Sequence, residues 1–263
     1  MKCALITGAS SGMGEEYARQ LAAKGYNIVV VSNDAEGNRR VANELTQRYN
    51  VWVESICMDL THADSAEQVY QRVVNRGLEV DIFISNAGML LFSQLDRTLG
   101  DHISRIIALH CTTPTQLCRL FARDMRLRGR GRILIVSSIT AWTPYPTISH
   151  YAATKAYLKS FAESLWYEMR DAGVSVTAVF PSAVDTPFYT LDDKMRRLLL
   201  RCGVMMSAES VVRKALKAMF RSRRRCLPGI ITKLEAAVCA LMPSCMLLPI
   251  LKLPQVKRIL DRV

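Results

Sequence analysis

The sequence predicts an α/β fold in which helices cover both faces of a doubly wound parallel sheet. Short apolar runs that suit buried strands alternate along the chain with stretches of helical periodicity, which is typical of repeated β-α units. A chain of 263 residues can enclose one sizeable core without dividing in two. We therefore expect a single domain, followed by a C-terminal extension that differs in composition.

The first β-α unit contains a glycine-rich turn. Residues 3–8 form a short apolar run that suits a buried strand, and the pattern after the turn is helical. Gly8, Gly12 and Gly14 lie between them and allow a tight turn close to a ligand. Such a unit presents backbone N–H groups and a helix N-terminus to a phosphate. An ordinary glycine-rich turn has the same composition, so both interpretations stay open here.

Ser138, Tyr151 and Lys155 form a second pattern, which suits proton transfer. A phenol has an ordinary pKa of about 10, and a neighbouring ammonium lowers that value. Positions i and i+4 share one face of a helix, so Lys155 can lie beside the Tyr151 ring. A serine at a nearby strand end can then bind the oxygen that the phenol protonates. Tyr-x-x-x-Lys alone also fits a solvated helix face.

Further motifs follow in order along the chain. Asp59 ends an apolar run, Asn86 opens an Asn-Ala-Gly motif after the next predicted strand, and Pro181 and Thr186 follow a later strand. Together with the two patterns above, these motifs resemble the short-chain dehydrogenase/reductase family over about residues 3–190. The resemblance implies a Rossmann-type fold and an NAD(P)(H)-dependent oxidoreductase that reduces a ketone or oxidises the matching alcohol.

The resemblance also implies roles for individual residues. The implied catalytic residues are Ser138, Tyr151 and Lys155, with His110 as a candidate fourth member. The implied cofactor-binding residues, which include two of the catalytic ones, are Gly8, Ser10, Ser11, Gly12, Met13, Gly14, Asn33, Asp59, Leu60, Asn86, Ala87, Gly88, Tyr151, Lys155, Pro181, Val184 and Thr186.

Two positions depart from the family pattern. His110 lies 24 residues after Asn86, where the family has an asparagine that holds a water connecting the lysine to solvent. An imidazole can bind that water, and it titrates near neutrality, but His110 is equally well a polar helix residue. Ser182 replaces a family glycine, so the turn after Pro181 is expected to differ.

The end of the second predicted strand bears on the choice of cofactor. Relatives that prefer NAD have an acid at the position of Ser32, and its absence removes repulsion toward a 2′-phosphate. No arginine stands at Asn33, and Asp34 argues mildly for NAD, but Arg39 and Arg40 follow within the next helix. We expect NADP(H) to be favoured over NAD(H).

Charge and apolar residues distinguish the C-terminal part. Residues 194–263 hold 16 Lys or Arg and 3 Asp or Glu, whereas the rest of the chain holds 19 and 20. Residues 221–225 are strongly basic, and 236–251 are uncharged but too short and proline-interrupted to span a bilayer. This pattern suits an anchor at an anionic membrane surface, or an element packed on the core or a second subunit. Too few aromatic residues lie there for a nucleic acid site.

We divide the chain into a core over 1–190, a substrate loop and helix over 186–220, and the extension over 221–263. By family analogy the loop covers the substrate, and its apolar residues favour a small, lipid-like carbonyl or alcohol; they are Phe188, Tyr189, Leu191, Met195, Leu198, Leu199, Leu200, Met205 and Met206. Such residues also suit a plain core.

Location and partners complete the expectations. The glycine turn begins at residue 7 and leaves no room for a signal peptide, and the eight cysteines match no zinc spacing. We expect a cytoplasmic, metal-free homo-oligomer, which in the anchored case is peripheral at a membrane. The alternative function is a cofactor-binding regulator or scaffold without turnover.

Overall fold

A computed structural model describes residues 2–188 and 192–241. Its main sheet has seven parallel strands in the order β3-β2-β1-β4-β5-β6-β9. These strands are β1 Cys3–Thr7, β2 Asn27–Ser32, β3 Val53–Cys57, β4 Ile82–Ser85, β5 Gly131–Val136, β6 Val174–Val179 and β9 Arg225–Cys226. The last of them lies inside the predicted extension, whose first residues therefore extend the sheet. A separate two-stranded parallel sheet pairs β7 Ala183–Asp185 with β8 Met205–Ser207.

Helices cover both faces of the main sheet, which confirms the predicted doubly wound fold. The α-helices are α1 Gly12–Ala22, α2 Ala35–Tyr49, α3 Ser65–Asn75, α4 Gly100–Ile107, α5 Thr113–Leu127, α6 Ser149–Met169, α7 Asp193–Arg201, α8 Ala208–Phe220 and α9 Ile230–Leu241. One buried apolar cluster joins α3, α5 and α6 to the sheet, and a second joins α1, α2 and α8 to the opposite face.

The strand order fixes where a ligand can bind. Because the chain reverses its winding direction between β1 and β4, a crevice opens at the carboxyl ends of these strands. The segments that follow β1, β4, β5 and β6 all emerge at this edge, since the strands are parallel. These segments carry the motifs found in the sequence. Within the described ranges, no helix is both long and apolar enough to cross a membrane.

Candidate active site

The glycine turn after β1 is closely packed. Gly8 has a φ of +66°, a conformation that side chains disfavour, and a Cβ there would lie 2.8 Å from the Ala87 Cα. A Cβ at Gly14 would overlap the carbonyl oxygen of Gly8. Both positions therefore require glycine, and the loop keeps its backbone open toward the crevice.

The Asn-Ala-Gly motif supports this turn. The Asn86 side-chain amide donates hydrogen bonds to the carbonyl oxygens of Thr7 at 3.0 Å and Gly8 at 3.3 Å. In return, the Thr7 hydroxyl accepts from the backbone N–H groups of Asn86 at 3.0 Å and Ala87 at 3.1 Å. The ends of β1 and β4 are thus tied together. No pattern in the sequence marks Thr7 as part of this link.

A cavity of about 420 Å³ occupies the crevice. All the predicted cofactor-binding residues except Gly14 line it, and so does Ser138. Gly14 contributes to the close packing of the turn, and His110 lies outside the lining. The structure therefore brings the two sequence patterns, which lie far apart along the chain, into one site.

Asp59 lines this cavity as an ionised group. Its carboxylate accepts hydrogen bonds from the Thr61 backbone at 2.9 Å and hydroxyl at 2.8 Å, and Arg105 lies 3.4 Å away. Burial raises the pKa of Asp59, but these hydrogen bonds and the charges of Arg105 and His62 outweigh it, so the pKa is below its ordinary value. Arg105 also lines the cavity, and the sequence analysis did not identify it.

The end of β2 is organised by buried hydrogen bonds. The Ser32 hydroxyl donates to the Asn38 side-chain oxygen at 2.8 Å, and the Asp34 carboxylate caps α2 by accepting from the Gly37 N–H at 2.9 Å. The guanidinium of Arg40 donates to the Ser10 carbonyl oxygen at 3.0 Å. A cation therefore touches the glycine turn, although Glu15 pairs with it at 2.6 Å.

Ser138, Tyr151 and Lys155 line the same cavity as the glycine turn. Lys155 is buried, its Nζ donates to the Val136 carbonyl oxygen at 3.2 Å, and the same atom lies 5.5 Å from the centre of the Tyr151 ring. Burial lowers the pKa of Lys155 to about 8. The Ser138 hydroxyl accepts from the Thr140 N–H at 3.1 Å, so its proton can be donated to a ligand. Ser137 holds α6 by donating to the Lys155 carbonyl oxygen at 2.7 Å.

His110 occupies a π-helical segment, Ala108–Thr112, between α4 and α5, and its side chain is fully buried. Its Nε2 accepts from the Met89 N–H at 3.0 Å, so a neutral ring carries its proton on Nδ1. Nδ1 then donates to the Thr154 hydroxyl at 2.9 Å, which donates to the Tyr151 carbonyl oxygen at 2.8 Å. Burial, followed by the charges of Lys155 and His150, lowers the pKa of His110 well below its ordinary value.

Ser182 fits where the family has glycine. It lines the cavity immediately after Pro181, and its φ is not positive. A side chain is therefore tolerated at this position without backbone strain.

The sequence profile described as short chain dehydrogenase matches residues 2–196. The chain belongs to this family. It is 30% identical to 17-beta-hydroxysteroid dehydrogenase type 3 of Rattus norvegicus over 92% of this chain and 76% of that protein. It is 29% identical to the very-long-chain 3-oxoacyl-CoA reductase of Bos taurus over 92% of this chain and 75% of that protein.

The same family appears among solved structures. A short-chain dehydrogenase from Sphingobium yanoikuyae, in complex with NADPH, has a TM-score of 0.79 and 28% sequence identity. The similarity covers 90% of this chain and 92% of that one. The relatives thus include lipid-related dehydrogenases and an NADPH-bound enzyme.

The predicted substrate loop of this short-chain dehydrogenase is only partly described. Phe188 lines the cavity, whereas Tyr189 and Leu191 lie outside the described residues. Met195 and Leu198 are exposed on α7. Of the remaining members, Met205 is buried, whereas Met206, Leu199 and Leu200 are partly buried.

Proposed function

We propose that the protein is an NADP(H)-favouring oxidoreductase that reduces a ketone, or oxidises the matching alcohol, on an apolar, lipid-like substrate. The observation that carries the proposal is the convergence of Ser138, Tyr151 and Lys155 on the cavity that the glycine turn lines. A nucleotide site and a proton-transfer site thereby share one crevice, as hydride transfer to a carbonyl requires.

The residues of the crevice suit a nicotinamide dinucleotide. Gly8 and Gly14 keep the turn free of side chains where a pyrophosphate has to approach the N-terminus of α1. Asp59 is an ionised hydrogen-bond acceptor and suits the adenine amino group. Asn86 and Thr186 line the path toward the catalytic end of the cavity. When bound, the cofactor supplies the hydride.

The remaining chemistry belongs to the side chains. Tyr151 gives its phenolic proton to the carbonyl oxygen as that oxygen gains negative charge. Ser138 donates a hydrogen bond to the same oxygen, which stabilises the developing charge. Lys155, when protonated, stabilises the phenolate that Tyr151 becomes after it has given up its proton. In the oxidative direction the same groups act in reverse, with the phenolate as base.

His110 acts in this proposal as a positioning residue. Both of its ring nitrogens are engaged by Met89 and Thr154, which leaves neither for the water that the family asparagine holds. Through Thr154 the ring fixes the backbone of Tyr151, and through Met89 it fixes the loop after the Asn-Ala-Gly motif. The sequence expectation of a water-binding imidazole is thus replaced by a connection between α6 and the loop after β4.

The preference for NADP(H) rests on the end of β2. The buried Ser32 places no carboxylate there, and the Asp34 carboxylate is occupied in capping α2. Arg40 lies against the glycine turn, at 3.0 Å from the Ser10 oxygen, and can attract a 2′-phosphate. Arg40 also makes a two-point ion pair with Glu15 and lies 4.0 Å from Glu44, and these carboxylates reduce the attraction.

The preference for a lipid-like substrate rests on the relatives and on the cavity. By their names, the two relatives described above act on a hydroxysteroid and on a very-long-chain 3-oxoacyl-CoA. In this chain, Phe188 and Met89 contribute apolar surface to the cavity beside Tyr151. We therefore infer a substrate whose carbonyl is attached to a sizeable apolar group.

The test is oxidation of NADPH by the purified protein with a panel of steroid ketones, 3-oxoacyl thioesters and bulky alkyl ketones. Tyr151→Phe should retain cofactor binding, measured by NADPH fluorescence, and lose at least about a hundredfold in turnover. Tyr157→Phe is the matched control and should leave the rate unchanged, because Tyr157 is exposed on the same helix and its hydroxyl hydrogen-bonds only to Thr115 among the described residues.

Two outcomes contradict the proposal. Binding of NADPH without turnover on any ketone would support the regulator or scaffold instead. Retention of more than a tenth of the activity in Tyr151→Phe would show that another group gives the proton.

A further inference from the structure

A second cavity, of about 820 Å³, lies beside the C-terminal half of α8, the short strand β9 and the start of α9. It adjoins the β7–β8 sheet, in which Val184 pairs with Met206. Val184 lines the catalytic crevice and Met206 lines the second cavity. The two cavities thus adjoin neighbouring strands of this small sheet, and none of the proposed catalytic residues lines the second one.

The second cavity is lined by cations. Six basic residues contribute to it, and one of them, Arg225, is paired with Glu163. Within the described part of the chain, none of the other five has a carboxylate within 4 Å; they are Lys214, Lys217, Arg221, Arg223 and Lys233. Their neighbour Arg213, which does not line the cavity, pairs with Glu209. Like charges gathered around one cavity repel each other, and an anion that enters it relieves the repulsion.

The thiol of Cys226 lies close to several of these charges. Cys226 is 8% exposed and lines the cavity. Burial raises its pKa to about 11, and the positive charges of Lys214, Arg223 and Lys233 act in the opposite direction. Cations from α8, from the turn before β9 and from α9 therefore converge on one point.

Carboxylates of the described residues do not supply the counter-charge. Residues 242–263, whose structure is not described, contain one acidic residue, Asp261, and four basic ones. The described acidic residues nearest along the chain are occupied or distant, since Glu209 pairs with Arg213 and Glu235 lies toward Tyr145. The chemistry of the site therefore calls for an external anion.

Helix α9 shows what kind of anion this is. Ile230, Leu234, Val238 and Leu241 recur at helical spacing on one face and are 77%, 61%, 57% and 82% exposed. The other face buries Thr232 and Ala236 and packs on the 3-10 turn Ile139–Trp142. A stripe of exposed aliphatic side chains beside a cationic cavity is unfavourable in water and suits a lipid interface.

We propose that the second cavity binds the phosphate group of an anionic phospholipid at a bilayer surface, with the exposed stripe of α9 lying among the acyl chains. The charge of the cavity selects an anion, and the stripe selects a bilayer over a small soluble phosphate, which would leave the aliphatic side chains in water. Ile230 and Ile231 line the cavity as well, so the two features are continuous. This binding does not depend on the proposed reaction.

The site includes only part of the basic cluster that the sequence indicates. Arg225 forms a two-point ion pair with Glu163 at 2.5 and 2.6 Å. Arg224 donates to the Tyr167 hydroxyl at 2.6 Å and lies over the rings of Trp166 and Tyr167. These two cations are committed to α6, whereas Arg221 and Arg223 of the cluster join the lysines of α8 and α9 in the cavity.

The experiment is co-sedimentation of the full chain with vesicles of phosphatidylcholine that contain 0 to 50% phosphatidylglycerol, at low and at raised salt. Binding should increase with the anionic fraction and weaken with salt. Lys214→Ser combined with Lys217→Ser should lower the partition coefficient about 25-fold, at roughly fivefold for each charge near an anionic surface. Both lysines are exposed, so the fold should survive.

Each change has a matched control. Arg72→Ser combined with Arg119→Ser removes the same charge from exposed positions on α3 and α5 and should change binding less than threefold. Leu234→Ser combined with Val238→Ser should also weaken binding, whereas Leu127→Ser, at an 82% exposed leucine of α5, should not. Turnover of a water-soluble ketone should be equal in all variants, which separates this site from the proposed reaction.

Three results would overturn the proposal. One is no sedimentation with half-anionic vesicles at low salt. Another is an equal loss of binding in the α8 variant and its control, which would indicate a general charge effect. The third combines two observations: calorimetry detects binding of glycerol 3-phosphate or inorganic phosphate, and vesicle binding is unchanged by the substitutions at Leu234 and Val238. That combination would indicate a site for a soluble phosphate.

Discussion

Replacement of Thr154 by valine tests the connection from His110 to the catalytic helix. The substitution keeps the size of the side chain but removes the hydroxyl that accepts from His110 at 2.9 Å and donates to the Tyr151 carbonyl at 2.8 Å. The Nδ1–H of His110 then has no acceptor in a fully buried position. Such a group costs about 1–3 kcal/mol of unfolding free energy. For a protein of this size that is a fall in Tm of about 3–10 °C.

A double-mutant cycle isolates this contribution. His110→Leu removes the donor, so Thr154→Val should cost little in that background, and the two changes should couple by at least about 1 kcal/mol. The measurement is urea unfolding of the four proteins. In parallel, Thr154→Val should lower kcat about 10- to 100-fold with unchanged cofactor binding, because Tyr151 loses part of its positioning.

Two results would refute the reasoning. Additive stability changes, within about 0.5 kcal/mol, would show that the two side chains do not interact as the geometry indicates. Unchanged stability together with a displaced pH profile of kcat would instead show that His110 takes part in proton transfer. A neutral imidazole whose two nitrogens are both hydrogen-bonded and whose pKa is lowered by burial should leave that profile unchanged.

Three further predictions concern the cofactor and pH. Arg40→Gln should reduce the ratio of kcat/KM for NADPH over NADH, and Ser32→Asp should turn it toward NADH by placing like charge against the 2′-phosphate; a wild-type preference for NADH above tenfold would contradict the assignment. Ketone reduction should decline as pH rises through about 8, where the buried Lys155 loses its proton, and an unchanged rate up to pH 10 would contradict this role. The unfolding free energy should rise between about pH 8 and 10.5, because the unfolded chain binds the Lys155 proton more tightly in that range; Lys155→Met should abolish that rise.

The sheet could be predicted because its signals are local. Each apolar run predicted as a strand before residue 190 forms a strand of the main sheet, and the structure shifts the boundaries by one to two residues. The run over 51–58, which Asp59 ends, becomes β3 Val53–Cys57. Gly8 and Gly14 stand at positions that only glycine can occupy. Periodicity and turn chemistry are carried by neighbouring residues, so they are visible without a structure.

The hydrogen-bond partners could not be predicted in the same way. Thr154 stands three residues after Tyr151, and Thr7 ends β1, but nothing in their surroundings marks them as links. Each acts on a residue more than 40 positions away, since Thr154 meets His110 and Thr7 meets Asn86. A polar side chain in a buried pattern shows only that some partner exists, and the fold decides which one.

The basic extension illustrates the same limit for charge. Composition identifies an excess of cations near the C-terminus, and the densest run, residues 221–225, is the natural candidate for an anionic surface. In the fold, Arg225 neutralises Glu163 and Arg224 lies on aromatic rings, because β9 joins the sheet beside α6. The cations without carboxylate partners include Lys214 and Lys217, which are dispersed along the sequence but share one side of α8. A run of charge in sequence therefore locates a charged surface only in part, and substitutions of Arg224 or Arg225 would break structural contacts before they tested lipid binding.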